Sequence, residues 1–148
     1  MAHEQAPAAL DIRLVEDSDD DVAMVRRVFS KVGIPCGLHT ARDGQEALDY
    51  LLRRGEDRDA PAPDLVLLDL RLPTVGGLDV LRRMRTDQGL SAIPVVVLTG
   101  SKDDKDFREC MALGAEGYLV KPVKVGDVGD ILIEVRNYWA SLGRARAH

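Results

Sequence analysis

The segment Leu65-Val66-Leu67-Leu68-Asp69 decides how this chain is read. Four consecutive apolar residues closed by a carboxylate are too few for a helix and lack the alternation of a half-wet strand. They read as a central strand buried on both faces. Working outward, Ile12 to Val15 and Ile93 to Leu98 are runs of the same kind, with a weak strand candidate at Leu38 to Ala41 and a short one at Tyr118 to Val120. Helix-period segments alternate with them. The first carries Met24, Val25, Val28 and Phe29 and ends near Gly33; the second carries Ala47, Leu48, Leu51 and Leu52 after the Asp43-Gly44 turn. Leu78, Leu81 and Met84 follow the Pro73 to Gly77 turn, Phe107, Cys110, Met111 and Leu113 mark a fourth helix, and Val128 through Trp139 a long fifth. Five strands alternating with five helices predict an α/β domain with a doubly wound, five-stranded parallel sheet of flavodoxin-like order 2-1-3-4-5. A barrel would need roughly 250 residues.

With 148 residues, 45% of them hydrophobic, the chain suits one domain with its own core. The expected division is a disordered lead over residues 1–10, a folded domain over 11–140 and a flexible basic tail over 141–148. Arg53 to Pro63, polar with two prolines and a glycine, reads as an exposed loop longer than most connections. The net charge of -5, with no basic cluster, speaks against nucleic acid or an anionic membrane as partner. No apolar run nears the roughly 18 residues of a membrane span, and Met1 to Leu10 lacks the pattern of a secretory signal, so the expected location is cytoplasmic. Cys36 and Cys110 have no paired or zinc-type spacing and read as small buried hydrophobes; His3, His39 and His148 share no metal spacing.

Chemistry is expected where the strands end, because ligands of open α/β sheets bind beyond the carboxyl ends at the topological switch point. Strand one runs into Glu16 and Asp17, strand three into Asp69, strand four into Thr99, and strand five into Lys121-Pro122. Three carboxylates at one rim repel one another unless a hard cation joins them, and oxygen ligands favour Mg²⁺. A hydroxyl and a lysine opposite complete a cradle for a phosphoryl group, and an Asp carboxylate can itself attack phosphorus. Asp19 to Asp21 read instead as helix-capping acids, since no calcium-loop pattern surrounds them.

Five motifs in order, Leu14-Val15-Glu16-Asp17, Leu67-Leu68-Asp69-Leu70-Arg71-Leu72-Pro73, Gly77, Val97-Leu98-Thr99 and Tyr118-Leu119-Val120-Lys121-Pro122, resemble the response-regulator receiver family from about Asp11 to Tyr138. The resemblance implies phosphorylation of Asp69 by a histidine kinase. It further implies Mg²⁺ held by Asp17, Asp69 and the backbone carbonyl of Arg71, with Glu16 acting through water. Thr99 and Lys121 would contact the phosphoryl group, Thr99 and Tyr118 would form the switch, and Lys121-Pro122 would be a cis peptide. The Asp43-Gly44-x-x-Ala47-Leu48-Asp49-Tyr50-Leu51 helix, the loop before Pro63, the Ile93 to Thr99 strand and the Tyr138-Trp139 ending resemble single-domain regulators paired with phytochrome-type kinases, commonly homodimers through the last helix and strand. Such a protein signals and does not turn over substrate, beyond slow self-dephosphorylation; its downstream target is a separate protein. The rival is a Mg²⁺-dependent phosphatase of the haloacid-dehalogenase type, which also uses an Asp nucleophile but places a general acid where this chain has Arg71. Phe107, Met111, Tyr138 and Trp139 are either core or exposed apolar surface, with Trp139 the better interface candidate.

Overall fold

The computed structural model describes residues 9–52 and 62–143. Its strands are β1 (Leu10–Val15), β2 (Cys36–Ala41), β3 (Leu65–Asp69), β4 (Val95–Thr99) and β5 (Gly117–Val120). Its helices are α1 (Asp19–Ser30), α2 (Gly44–Leu51), α3 (Gly77–Arg85), α4 (Lys105–Ala112) and α5 (Val125–Ser141). The strands form one parallel sheet in the order β2-β1-β3-β4-β5, as the alternation of segments predicts.

Side chains of β1, β3 and β4 divide by parity, as the period of two in a strand requires. Val66, Leu68, Val95 and Val97 face α2, α3 and α4, where Tyr50, Leu51, Leu81, Met84 and Phe107 meet them. Leu65, Leu67, Val96 and Leu98 face α1 and α5, against Val25, Phe29, Val128, Leu132 and Trp139. Both faces of β3 are therefore covered, and every one of its residues is buried. This is why its sequence shows no polar alternation. The edge strand β2 is half-exposed over most of its length, which accounts for its weak signal, and it begins two residues before the expected Leu38.

Local chemistry sets the helix ends. Ser18 caps α1 by accepting from the Asp21 amide at 3.2 Å, and Asp43 caps α2 by accepting from Glu46 at 2.7 Å. Glu46 reaches back to the Arg42 amide at 2.8 Å, so the start of α2 is tied from both sides. Pro94 cannot donate to a ladder, so β4 begins at Val95 and not at Ile93, although the Pro94 carbonyl still accepts from Val66.

Three expectations are revised. Leu10, assigned to a disordered lead, is the buried first residue of β1. Pro63, assigned to an exposed loop, is buried; residues 53–61 of that loop, residues 1–8 of the lead and residues 144–148 of the tail lie outside the described residues. Trp139 is core and not interface: it is 4% exposed, and its indole N–H donates to the Asp64 carbonyl at 2.9 Å. Phe107 is also buried and Met111 partly so, whereas the adjacent Tyr138 is exposed and donates its hydroxyl to the Ala92 carbonyl. Cys110 is buried, its thiol pushed up to about 11 by burial and then by Asp106 and Glu109; burial raises Cys36 as well, so neither favours a thiolate. Among the described residues, no helix is long and apolar enough to cross a membrane.

Trp139 anchors α5 to the entry of β3 by packing and by one buried hydrogen bond. Trp139→Phe keeps most of the packing but leaves the Asp64 carbonyl short of that donor, which should lower stability by about 1–2 kcal/mol in urea unfolding. Trp139→Ala should cost about 3–5 kcal/mol. Near-equal midpoints for Trp139→Phe and the parent would remove the hydrogen bond from this account.

Candidate functional site

Glu16, Asp17, Asp69, Thr99 and Lys121 converge because each continues or ends a strand. The Glu16 amide donates to the Ala41 carbonyl, the Leu70 amide to Leu98, and the Lys121 amide to Thr99, so pairing extends past the strand ends. Gly77 lets the chain return closely behind Asp69: a Cβ there would lie 2.4 Å from the Asp69 carbonyl oxygen. The eight-residue spacing from Asp69 to a glycine is therefore a steric requirement of the loop.

One carboxylate oxygen from each of Glu16, Asp17 and Asp69 lies within 4.8 Å of the other two. Glu16 and Asp69 are buried, whereas Asp17 is exposed. The Lys121 ammonium spans the group, donating to Asp69 Oδ2 at 2.7 Å, Asp21 at 2.8 Å and Glu16 at 3.0 Å. The other Asp69 oxygen accepts from the Arg71 amide at 2.8 Å. Burial disfavours a charged lysine, but the hydrogen bonds to Asp21, Asp69 and Glu16 more than offset this, and the ammonium is held above its ordinary range. Glu16 is pushed up to about 7, first by burial and then by its hydrogen bond to Asp69, with Lys121 offsetting only part. Three close carboxylates and one bound ammonium leave an excess of anionic oxygen, the donor set that suits a hard divalent cation.

These residues line a cavity of about 400 Å³ together with Thr99, Ser101, Arg71 and Asp104. Thr99 is buried, and its hydroxyl donates to the Ser101 carbonyl at 2.8 Å while accepting from the Ser101 amide at 3.2 Å. Tyr118 is not part of the lining. It points outward, 38% exposed, with its ring edge-on to Phe107 at 5.2 Å and Lys102 over its face at 5.5 Å. It belongs to a larger surface hollow that also includes Lys121, so one residue borders both spaces. Lys121-Pro122 is cis, as the family resemblance implies.

Two participants escape the sequence reading. Asp21, read as a capping acid, turns from the first turn of α1 onto Lys121. Asp104, five residues beyond Thr99, is the N-cap of α4 and also forms an ion pair with the Arg71 guanidinium across the cavity. Each lies in an acidic stretch at a helix start, where nothing in the sequence separates a capping role from a second contact.

This fold and this rim define a receiver domain: the chain matches the response regulator receiver domain over residues 12–132 and belongs to that family of signalling proteins. It is 40% identical over 135 residues to the probable methanogenesis regulatory protein FilR2 of Methanothrix harundinacea, covering 90% of this chain and 86% of that one. It is 35% identical over 139 residues to response regulator Rcp1 of Synechocystis, covering 94% of each chain, and the Mn²⁺-bound structure of Rcp1 superposes with a TM-score of 0.72 over 88% of this chain and 94% of that one. The bacteriophytochrome response regulator RtBRR gives a TM-score of 0.77 at 31% identity, over 95% of this chain and 99% of that chain. The phosphatase alternative loses ground on the same comparison and on the residue two after Asp69, an arginine committed to Asp104.

The shifted Glu16 carboxyl makes metal-free stability pH-dependent. Unfolded, Glu16 releases its proton near 4.5; folded, it holds it to about 7. Its contribution is therefore complete below about pH 4.5 and is lost as pH rises through 7. Glu16→Gln stays neutral throughout, so in urea unfolding without divalent metal its stability should gain on the parent by on the order of 1–2 kcal/mol between pH 5 and pH 8. A difference that shrinks toward pH 8 would contradict the assigned direction.

Proposed function

We propose that this chain works as a cytoplasmic, single-domain response regulator that accepts a phosphoryl group on Asp69 from a histidine kinase. The observation that carries the proposal is the placement of Asp69: one oxygen is held by the Arg71 amide, the other by Lys121, with Glu16 and Asp17 alongside. An Asp69 oxygen attacks phosphorus, the bond from phosphorus to the donor atom breaks, and an acyl phosphate forms. Lys121 turns from carboxylate to phosphoryl oxygen with its charge intact, and Thr99 exchanges its Ser101 contacts for a phosphoryl oxygen. Tyr118 then leaves Lys102 and turns inward, so arrival of the group is reported on the surface beside α5.

Asp17, Asp69 and the backbone carbonyl of Arg71 would hold Mg²⁺, with Glu16 acting through water. The three-carboxylate oxygen set supports this, as does the Mn²⁺-bound form of Rcp1. When bound, the ion neutralises charge between the attacking carboxylate and the phosphoryl oxygens. Self-dephosphorylation is slow, since the position two residues after Asp69 carries Arg71, whose guanidinium is neither a general acid nor a general base for water. Near-full-length similarity to Rcp1 and RtBRR supports a phytochrome-type kinase as donor. Association as a homodimer through β5 and α5 is supported by the exposed Val120, Ile133 and Tyr138 along these elements and by the exposed Leu142 at the C-cap of α5.

Incubation with acetyl phosphate and Mg²⁺ should add one phosphoryl mass to the parent and none to Asp69→Asn, read by intact mass spectrometry. A parent that stays unlabelled where other receivers label would end the acceptor role. For assembly, the parent should sediment as a dimer and Ile133→Glu with Tyr138→Glu as a monomer; a monomeric parent would refute the dimer.

A further inference from the structure

Arg71 and Asp104 form an ion pair that crosses the mouth of the acidic cavity, joining the loop after Asp69 to the first turn of α4. The two partners are unequally held. The Arg71 side chain is 75% exposed and the Asp104 side chain 13%, so the guanidinium is free to swing and the carboxylate is not. Asp104 is also the structural start of α4: it accepts from the Asp106 amide at 2.7 Å, and its carbonyl accepts from the Arg108 amide at 3.2 Å. The far end of α4 is anchored separately, because Arg85 donates to the Leu113 and Gly114 carbonyls.

The cavity is lined by five acids (Glu16, Asp17, Asp21, Asp69, Asp104) and two cations, Arg71 and Lys121. Lys121 already serves three of the acids. A phosphoryl group on Asp69 would replace a single negative charge by roughly two and add several acceptor oxygens. Beside Lys121, the other cation lining the cavity is Arg71, whose amide already touches Asp69 and whose planar fork suits phosphoryl oxygens better than a lone carboxylate oxygen.

We propose that the Arg71–Asp104 pair is a clasp between the acceptor loop and α4, which opens when Arg71 transfers to the phosphoryl group and so loosens the first turn of α4. The proposal rests on Asp69 as acceptor. Once Arg71 leaves, Asp104 is mostly buried and faces a phosphoryl anion without a counter-charge, which disfavours its present position. The first turn shifts while the Arg85-held end stays. Phosphorylation thereby reaches the surface at α4 by a route separate from Thr99 and Tyr118.

Hydrogen exchange of a peptide covering residues 104–112 tests this, with intact mass followed on the same samples. With acetyl phosphate and Mg²⁺, exchange in the parent should rise about two- to fivefold, the scale of losing one partly exposed ion pair. Arg71→Ala and Asp104→Asn should show a comparable rise with no phosphoryl donor; the Asn retains a cap acceptor, so the helix start survives. Phosphorylated parent with unchanged exchange, or variants that exchange like the unphosphorylated parent, would overturn the clasp and leave the acceptor role of Asp69 standing. A parent that gains no phosphoryl mass would instead overturn the acceptor role, and the clasp with it.

Discussion

Lys121 holds Glu16, Asp21 and Asp69 together at the rim of the sheet, and the rest of the site depends on that contact. Its ammonium lies 2.7 to 3.0 Å from all three carboxylates. In water such acids would simply be solvated and apart. Here β1 and β3 are adjacent strands, and both Glu16 and Asp69 are buried, so their repulsion is weakly screened and an internal cation is required. Lys121 offsets only part of what raises the Glu16 carboxyl, burial first and the hydrogen bond to Asp69 second. The three carboxylates gathered there are also what equips the rim for a divalent cation and, through it, for a phosphoryl group.

The scaffold around this contact is stiff where the chemistry is and softer where the signal leaves. Asp69 ends a strand buried on both faces, and its carbonyl has Gly77 packed directly behind it. The loop from Leu70 to Gly76 is pressed from the other side by Gly44 at the start of α2, where a Cβ would lie 2.1 Å from the Val75 carbonyl oxygen. The acceptor therefore has little freedom to move. Arg71, Lys102 and Tyr118, by contrast, sit on the outside, each held by one or two contacts. A local change of charge at Asp69 can reorganise these without disturbing the sheet.

Much of this was legible from particular residues. The unbroken Leu65 to Leu68 run implied a strand covered on both sides, and parity of its side chains confirms why no alternation appeared. Glu16, Asp17, Asp69, Thr99 and Lys121 could be placed at one rim because strand ends in a parallel sheet share an edge. Trp139 was misjudged because a late aromatic on a long helix looks alike whether it meets a partner or the bottom of its own sheet; the Asp64 carbonyl that accepts its N–H is 75 residues away. Asp21 and Asp104 were hidden for a related reason. Both sit at helix starts, where an acid already has a sufficient local explanation.

The sequence by itself determined the order of elements, the burial of β3 and the set of strand-end side chains, because each follows from periodicity or from the ends of short apolar runs. Only the tertiary structure decided which charges meet. Lys121 reaches Asp21 across 100 positions and Asp69 across 52, and Arg71 reaches Asp104 across 33. Such pairings depend on side-chain reach across neighbouring strands and helix ends, distances that the linear pattern of apolar and polar residues does not encode.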